Sequence, residues 1–462
     1  MATCKTCRFI EHGIYFKQQN DSLTVKHCCN MDHIPDKEQP HLIEKYYGEE
    51  INWETVFSQK RKDRDLARKG EYYPACKNCW ELQEQEIDEE DYISHITLAN
   101  LTKCNSRCVY CYIGEDEQYH SAPQKYRLYP HILKMKEQGI LKFSGSLRYM
   151  GGEPTLLTDF EQITNLFVEN NIPEIYLPTS GIKYSKAMEQ ACSKVPYCEI
   201  YISIDSGCPE TYKKIKRIDA YNIVLKSLKN YVENSTRKDL VISKYIALLG
   251  YNDTTEEIDK WLNEQKSIGI KSVSFDINGS YIYNQQTYEK YFKYLLQLKK
   301  YEENNARNMG FEIRNYSPYI QRLGNWEKDN EHNFKNAVSR KIVKIDISKT
   351  NINSVEKYLN NLIEKYGIWK KPTINLISNK EITETQNFEE ILNLCYKLGF
   401  KITLSTKANS YSKVLCEALK FADIQLTVIS NGKYLNTYQK ISTEKVKVNL
   451  FSRFFNAIFH IQ

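Results

Sequence analysis

The stretch Lys103-Cys104-Asn105-Ser106-Arg107-Cys108-Val109-Tyr110-Cys111-Tyr112 puts three thiols on one short segment. Intervals of three and then two residues between Cys104, Cys108 and Cys111 let the thiolates wrap one face of a compact metal centre. A cubane cluster has four irons, so three protein thiolates leave the fourth iron open to an exogenous ligand. The same logic separates open catalytic metal sites from closed structural ones. A zinc site that borrows a fourth ligand from elsewhere in the chain is the alternative for the triplet taken alone.

About 40 residues later comes Tyr149-Met150-Gly151-Gly152-Glu153-Pro154. Paired glycines let the backbone approach a ligand closely and adopt conformations closed to other residues. Their carbonyls and the Glu153 carboxylate are suitable acceptors for a ligand ammonium group. A third stretch is Tyr201-Ile202-Ser203-Ile204-Asp205-Ser206-Gly207, followed by Pro209-Glu210-Thr211-Tyr212. Ser203 and Asp205 alternate along a strand and therefore share a face, expected to be the inner one. The plainer reading of Asp205 is a helix cap or loop carboxylate. Thr179 and Ser180, closing another strand, are further candidates for the same ligand.

The spacing C-x3-C-x2-C, with the aromatic Tyr110 before the last cysteine, resembles the motif of the radical S-adenosylmethionine (SAM) superfamily. The Gly-Gly-Glu-Pro turn, the Ser203–Gly207 stretch and Lys244–Asp253 fall in the family's order, so the resemblance covers roughly residues 92–280. It implies a 4Fe-4S cluster on Cys104, Cys108 and Cys111, with SAM on its open iron. It places Tyr110 near the adenine and Gly151, Gly152 and Glu153 at the methionine amino group. It places Ser203 and Asp205, with Thr179 and Ser180, at the ribose and carboxylate. The implied chemistry is reductive cleavage of SAM to a 5′-deoxyadenosyl radical that takes a hydrogen from substrate. The cofactor then does the hard step, and the protein binds and orients. No general base is required. The implied partners are an electron donor such as flavodoxin or ferredoxin, and a peptide, carbohydrate or cell-envelope precursor as substrate.

Six more cysteines precede the barrel: Cys4, Cys7, Cys28, Cys29, Cys76 and Cys79. With the hairpin readable from Ile14-Tyr15-Phe16, Gln19-Asn20-Asp21 and Leu23-Thr24-Val25, they resemble a SPASM or twitch module. Such modules carry an auxiliary iron–sulfur cluster. Here the module comes before the barrel instead of after it. The implied ligand set is Cys7, Cys28, Cys76 and Cys79, with Cys29 or Cys4 as substitutes. A Cys4 zinc ribbon fits the spacing nearly as well. With it comes a rival class of function, a zinc-stabilised binding protein on a decayed barrel. A third reading is a SAM-binding sensor that does not cleave its ligand.

Strands that alternate with helices must position these residues. Strands are expected at His95–Leu101, Leu147–Gly151, Ile175–Thr179, Ile200–Asp205, Ser243–Leu249 and Ser272–Ile277. Capping boxes at Thr158-Asp159-Phe160-Glu161 and Thr254-Thr255-Glu256-Glu257 open two helices. The pattern predicts an α/β fold, a partial (β/α)6 barrel like a TIM barrel, with its site at the strands' C-terminal ends. Three domains are expected: a Cys-rich module over 1–91, the barrel over 92–330, and a smaller α/β domain without cluster ligands over 331–462. The acidic stretch 81–91 reads as a solvated connector. The tail echoes the barrel: Tyr176–Thr179, Tyr184-Ser185-Lys186 and Phe160-Glu161 find Thr403–Thr406, Tyr411-Ser412-Lys413 and Phe388-Glu389. Of the five remaining cysteines, Cys192, Cys395 and Cys416 fall in apolar helical patterns and are expected in cores, Cys198 is assigned no role, and Cys208 is expected near the mouth of the barrel.

A charge of +6 from 64 basic and 58 acidic residues, with no run of five like charges, argues against a nucleic-acid partner. No apolar stretch is long enough to span a membrane, and no secretion signal is visible. The expected location is cytoplasmic, where 14 cysteines point to metal rather than disulfides. Phe451, Phe454, Phe455, Ile458 and Phe459 lie at helical spacing and predict a C-terminal packing helix.

Overall fold

The computed structural model describes residues 3–19, 22–29, 43–46, 48–73, 76–77, 79, 81–86, 88–111, 113, 120–278, 285–314, 342–366, 371–421, 424–429, 432–442 and 445–448. Asn20, Asp21 and the phenylalanine-rich stretch 451–459 lie outside them. The chain divides into two compact units. One runs Met1–Asp276 with Glu302–Asn315, the other Ile277–Tyr301 with Tyr316–Gln462.

The first unit opens with β1 (Thr3–Cys7), α1 (Arg8–His12), β2 (Gly13–Gln19), β3 (Ser22–Lys26), β4 (Ile43–Tyr46), α2 (Trp53–Arg68) and β5 (Leu82–Glu86). All six expected barrel strands follow: β6 (Ile93–Ala99), β7 (Leu141–Tyr149), β8 (Glu174–Thr179), β9 (Tyr197–Ser203), β10 (Val241–Ala247) and β11 (Ser272–Ile277). The intervening helices are α3 (Tyr129–Glu137), α4 (Phe160–Glu169), α5 (Lys186–Lys194), α6 (Pro209–Lys216), α7 (Tyr221–Asn234) and α8 (Thr255–Ile268). After them come α9 (Gln285–Asn308), which the two units divide after Tyr301, and β12 (Glu312–Ile313) in the first unit. The main sheet runs β12-β11-β10-β9-β8-β7-β6-β2-β3-β4.

Strict alternation gives this sheet two faces. On one, Tyr149 packs on Phe160 at 4.7 Å and Tyr245 on Trp261 at 4.8 Å, burying both rings against the helices. The other carries the residues of opposite parity, among them Arg148, Tyr176, Tyr201, Lys244 and Asp276. They pair with one another: Lys244 meets Asp276 at 3.2 Å and Tyr176 meets Tyr201 at 5.5 Å.

The expected boundary at residue 91 does not divide the sheet. β2 pairs in parallel with β6, Phe16 opposite Leu98, so the hairpin β2–β3 extends the barrel sheet. Residues 81–91 are solvated only in part: Glu84, Glu86, Glu89 and Glu90 are exposed, but the stretch is not a free connector. β5 pairs antiparallel with β1, Glu81 is buried against Arg8, and Asp91 pairs with Arg61 and Arg64. The boundary expected at 330 differs too, since Ile277–Tyr301 falls in the second unit.

Of the two capping boxes, one supplies its N-cap bond: Thr254 accepts from the Glu257 amide at 3.2 Å. The other does not. The Thr158 hydroxyl bonds Gln124, and the Glu161 carboxylate accepts from the Ala187 amide, so tertiary partners outcompete the local pair.

The second unit holds five parallel strands in sequence order: β13 (Ile342–Asp346), β14 (Thr373–Ile377), β15 (Ile402–Thr406), β16 (Ile424–Val428) and β17 (Val446–Val448). Between them lie α10 (Ile352–Tyr366), α11 (Phe388–Lys397), α12 (Lys413–Phe421) and α13 (Leu435–Ile441). Cys192, Cys395 and Cys416 are buried in cores as expected. Among the described residues no helix is long and apolar enough to cross a membrane.

Candidate active site

The cysteine loop follows β6 directly and is held on two sides. On one side it is zipped to the turn after β7. The Gly152 amide donates to Leu101 O at 2.8 Å and the Glu153 amide to Lys103 O at 2.9 Å. A Cβ on Gly152 would stand 2.3 Å from Lys103 O and 2.5 Å from Thr102 O. One on Gly151, whose φ is +98°, would stand 2.5 Å from Leu101 O. The paired glycines therefore admit the cysteine loop itself. On the other side, the Arg107 and Val109 amides donate to Lys216 O and Ile215 O at the end of α6. Within the loop the Ser106 hydroxyl lies 3.5 Å from Cys104 Sγ and 3.6 Å from Cys108 Sγ. Burial pushes the Cys104 thiol up, against the pull of Ser106.

Glu153 is only 1% exposed, and its carboxylate is turned into the protein. Oε1 accepts from the Thr155 amide and hydroxyl and from the Thr179 hydroxyl, and Oε2 accepts from the Ser180 amide at 2.7 Å. Those donors occupy the carboxylate that the sequence offered to a ligand ammonium. Thr179 and Ser180 are engaged as well: the Thr179 hydroxyl accepts from the Gly181 amide, and the Ser180 hydroxyl donates to Asn105 in the cysteine loop.

The second unit repeats four of these bonds. Glu381 Oε1 accepts from Thr406 and Thr383, Oε2 accepts from the Lys407 amide at 2.9 Å, and the Ala408 amide donates to Thr406. Ser185 and Ser412 each cap the helix that follows, and each donates its amide to a buried tyrosine hydroxyl, Tyr231 or Tyr438. Asn379 and Lys380 stand where the first unit has Gly151 and Gly152, and β13 runs into α10 through a short turn with no cysteine.

Asp205 does not continue the alternation of β9, which ends at Ser203. Its backbone is left-handed at φ +58°, and Asn252 holds its carbonyl at 2.7 Å. The fully buried carboxylate accepts from the Ile246 amide at 2.8 Å, from the Tyr110 hydroxyl at 2.7 Å, and from Lys216. The plainer reading, a loop carboxylate, describes these contacts. Ser203 keeps the parity of Tyr201 and is half-buried.

Sequence reasoning missed Lys216. It is 2% exposed, donates to the Tyr110 hydroxyl at 2.9 Å and lies 5.3 Å from that ring's centre. Burial opposes its charge; Asp205, Cys108 and Tyr212 together outweigh that and hold the ammonium above its usual range. Burial and Asp205 together raise the Tyr110 phenol. The available signal was Lys216 at the end of an amphipathic helix one turn after Tyr212, a place where a buried cation needs a buried anion.

The N-terminal cysteines separate into two groups. Cys7 and Cys76 are buried in one apolar cluster with Phe9, Ile10 and Ala67, and Cys28 packs against it. Cys79 closes a turn with Cys76, its amide 3.0 Å from Cys76 O. Burial, then Cys7 and Cys79, push the Cys76 thiol up to about 12, so a bound cation is needed to hold it as thiolate. Cys4 lies instead toward Glu11 and Arg68, and Cys29 near Tyr176 on β8. Cys7, Cys28 and Cys76 share one apolar cluster, with Cys79 one turn from Cys76, and Cys104, Cys108 and Cys111 share one loop, donor sets of the kind an iron–sulfur cluster would take. Among the described residues no three ligating side chains converge as they would on a single ion. A four-iron cube spreads its thiolates over separate corners.

Residues 101–264 match the model of the radical SAM superfamily. The GTP 3′,8-cyclase of Clostridium botulinum (strain Hall) is 30% identical over 186 residues, covering 40% of this chain and 56% of that protein. The GTP 3′,8-cyclase of Petrotoga mobilis is 27% identical over 193 residues, with the same shares. The chain thus spans about half the length of these relatives. Among solved structures, Streptococcus suis SuiB bound to precursor peptide SuiA aligns over 72% of this chain and 66% of that chain, at 14% identity and a TM-score of 0.39. The cysteine loop, the Gly-Gly-Glu-Pro turn and the Asp205 loop all lie within the matched region: residues 101–264 of this chain are a radical SAM domain.

Proposed function

We propose that this chain is a radical SAM enzyme that abstracts hydrogen from a peptide, or from a carbohydrate or cell-envelope precursor. The observation that carries the reading is the double fastening of the cysteine loop, on Gly151–Gly152 and on the end of α6. It presents three thiols at the C-terminal ends of parallel strands, where α/β sheets bind their ligands. Cys104, Cys108 and Cys111 would hold a 4Fe-4S cluster. When bound, cluster and SAM together supply a 5′-deoxyadenosyl radical.

The chain's own residues orient and enclose. Tyr110, held from below by Asp205 and Lys216, offers a fixed aromatic face beside the loop. The turn at Gly151 and Gly152 offers backbone carbonyls, while Glu153, Thr179 and Ser180 keep that turn rigid from behind. Ser203 offers a hydroxyl on the inner face. The paired charges and phenols of Lys244, Asp276, Tyr176 and Tyr201 suit a polar substrate. Cys7, Cys28, Cys76 and Cys79 would hold an auxiliary iron–sulfur cluster, and flavodoxin or ferredoxin would supply the electron.

The test is anaerobic reconstitution, SAM and a reductant, with 5′-deoxyadenosine and methionine followed by mass spectrometry. Short peptides, sugars and GTP are the substrate panel. About eight irons per chain, falling to about four in C104A/C108A/C111A with loss of 5′-deoxyadenosine, is the expected result. Zinc in place of iron, untouched by the triple substitution and with no SAM cleavage, would overturn the reading.

A further inference from the structure

Lys60 belongs to none of the chemistry above. It lies on the inner side of α2 and is wholly buried. Its Nζ donates to the carbonyl oxygens of Gly13 at 2.8 Å, Ile10 at 3.0 Å and Phe9 at 3.3 Å, and lies 3.1 Å from His27 Nδ1. One turn further along α2, Asp63 stands 2.8 Å from His27 Nε2 and accepts from the Tyr73 hydroxyl at 2.7 Å and from Gln59 at 3.0 Å.

These partners lead to three different cysteines. Phe9 and Ile10 follow Cys7, and His27 precedes Cys28. Tyr73 accepts from the Cys76 amide through its carbonyl at 2.8 Å. Tyr72 adds a fourth tie, its hydroxyl donating to Lys5 O in the strand that carries Cys7. Two residues of one cysteine-free helix thus fasten three segments that are far apart in sequence. Cys79 follows Cys76 in the same turn.

A buried ammonium is costly, and an apolar side chain of similar length would fill the space. What the amine adds is three fixed carbonyls, and a positive charge once thiolates stand nearby: burial and Arg64 pull its pKa down to about 7, and negative neighbours, Cys7 among them, push it up. Four thiolates gathered at one centre carry the opposite charge. Groups behind the ligands orient them and tune the centre, and their loss typically weakens binding about 10–100-fold.

We propose that Lys60 and Asp63 are positioning residues for an auxiliary iron–sulfur cluster on Cys7, Cys28, Cys76 and Cys79. They fix the three ligand-bearing segments, and the Lys60 charge offsets that of the thiolates. The proposal rests on the reading of these cysteines as one closed site.

The test uses the full chain carrying C104A/C108A/C111A, so that the N-terminal site alone holds metal. Iron, sulfide and zinc per chain, chelator competition and the reduction potential are measured for that protein and with K60M, D63N, Y73F or K62M added. Lys62 is exposed on the same helix and serves as the control. K60M and D63N should each yield iron to chelator at least about tenfold more readily, Y73F less so, and K62M not at all. Any cluster that K60M retains should reduce at a lower potential, because a nearby positive charge favours the reduced, more negative state.

Unchanged chelator competition and potential in K60M and D63N would overturn the positioning role while leaving the site standing. A triple variant without metal would overturn the site and this inference with it, and zinc in place of iron would overturn the cluster. Should K60M lose the hydrogen-exchange protection of β6–β9, D63N and Y73F decide the question, since both leave the buried ammonium in place.

Discussion

Replacing Lys216 by Met would leave the Asp205 carboxylate buried with two donors in place of three. Asp205 is fully buried and Lys216 is 2% exposed, so solvent cannot take over the lost partner. Breaking such a buried pair from one side costs about 3–5 kcal/mol. Asp205→Asn strands the ammonium instead, and also weakens the charged bonds from the Tyr110 hydroxyl and the Ile246 amide. Bonds to a charged group are worth about 1.5–3 kcal/mol each, which puts its cost in the same range. The double variant D205N/K216M buries no lone charge. Its cost should therefore fall short of the sum of the singles by at least about 2 kcal/mol. Because the chain has two units, one unfolding midpoint would not isolate this site. Hydrogen exchange on peptides spanning 197–247 reads the local opening free energy directly. A K216M effect below about 1 kcal/mol, or strict additivity in the cycle, would refute the claim that the pair is a mutually dependent buried lock on Tyr110.

Two other perturbations test the frame around the site. Gly152→Ala must push the cysteine loop away from the turn, because its Cβ would meet Lys103 O at 2.3 Å. We expect a loss of about 1–3 kcal/mol and of most iron at the triplet, with N-terminal iron retained; full occupancy at both sites would refute the close approach. Glu199 faces the inner side of β9, and burial, opposed by Arg314 and reinforced by Glu174, pushes its carboxyl up from 4.5 to about 7. A folded-state pKa above the unfolded one means its contribution is fully present below about pH 4.5 and is lost as pH rises through about 7. The shift corresponds to about 3 kcal/mol. Glu199→Gln should therefore be more stable than the parent at pH 8 and lose that advantage by pH 5, which thermal unfolding of the first unit at the two pH values would show.

Much of this was legible in the residues because it is local. The strands of the barrel announce themselves by β-branched and aromatic runs, and five of the six were placed within about three residues, while β7 begins six residues earlier than expected. The cysteine triplet and the Gly-Gly-Glu-Pro turn are spacings, and spacings are read without knowing the fold. What was not legible depends on which chain segments meet. Glu81 and Asp91 look like solvated acids until Arg8, Arg61 and Arg64 are brought to them. Thr158 and Glu161 satisfy the capping pattern yet bond Gln124 and the Ala187 amide. The parity that put Asp205 beside Ser203 holds only while the strand lasts, and β9 stops first, giving Asp205 a left-handed backbone and a different set of neighbours.

The same limit applies to Glu153, and here the second unit supplies the comparison. If the carboxylate served a ligand ammonium, a copy without a cysteine loop would have no use for it. Yet Glu381 makes the matching bonds to Thr383, Thr406 and the Lys407 amide in a unit that has lost the loop. The glycines ahead of it behave oppositely. Gly151 and Gly152, whose Cβ positions the cysteine loop occupies, are replaced by Asn379 and Lys380 where that loop is missing. Glycines go with the loop; the glutamate goes with the strand ends. The carboxylate is therefore best understood as a clip that fixes the turn after one strand to the turn after the next. On that account Glu153→Gln should disturb the Thr179–Gly181 turn and SAM binding together, and Glu381→Gln should loosen Thr406–Ala408 with SAM binding intact. Loss of SAM affinity in Glu153→Gln with unchanged exchange protection at Gly181 would instead assign the carboxylate to the ligand.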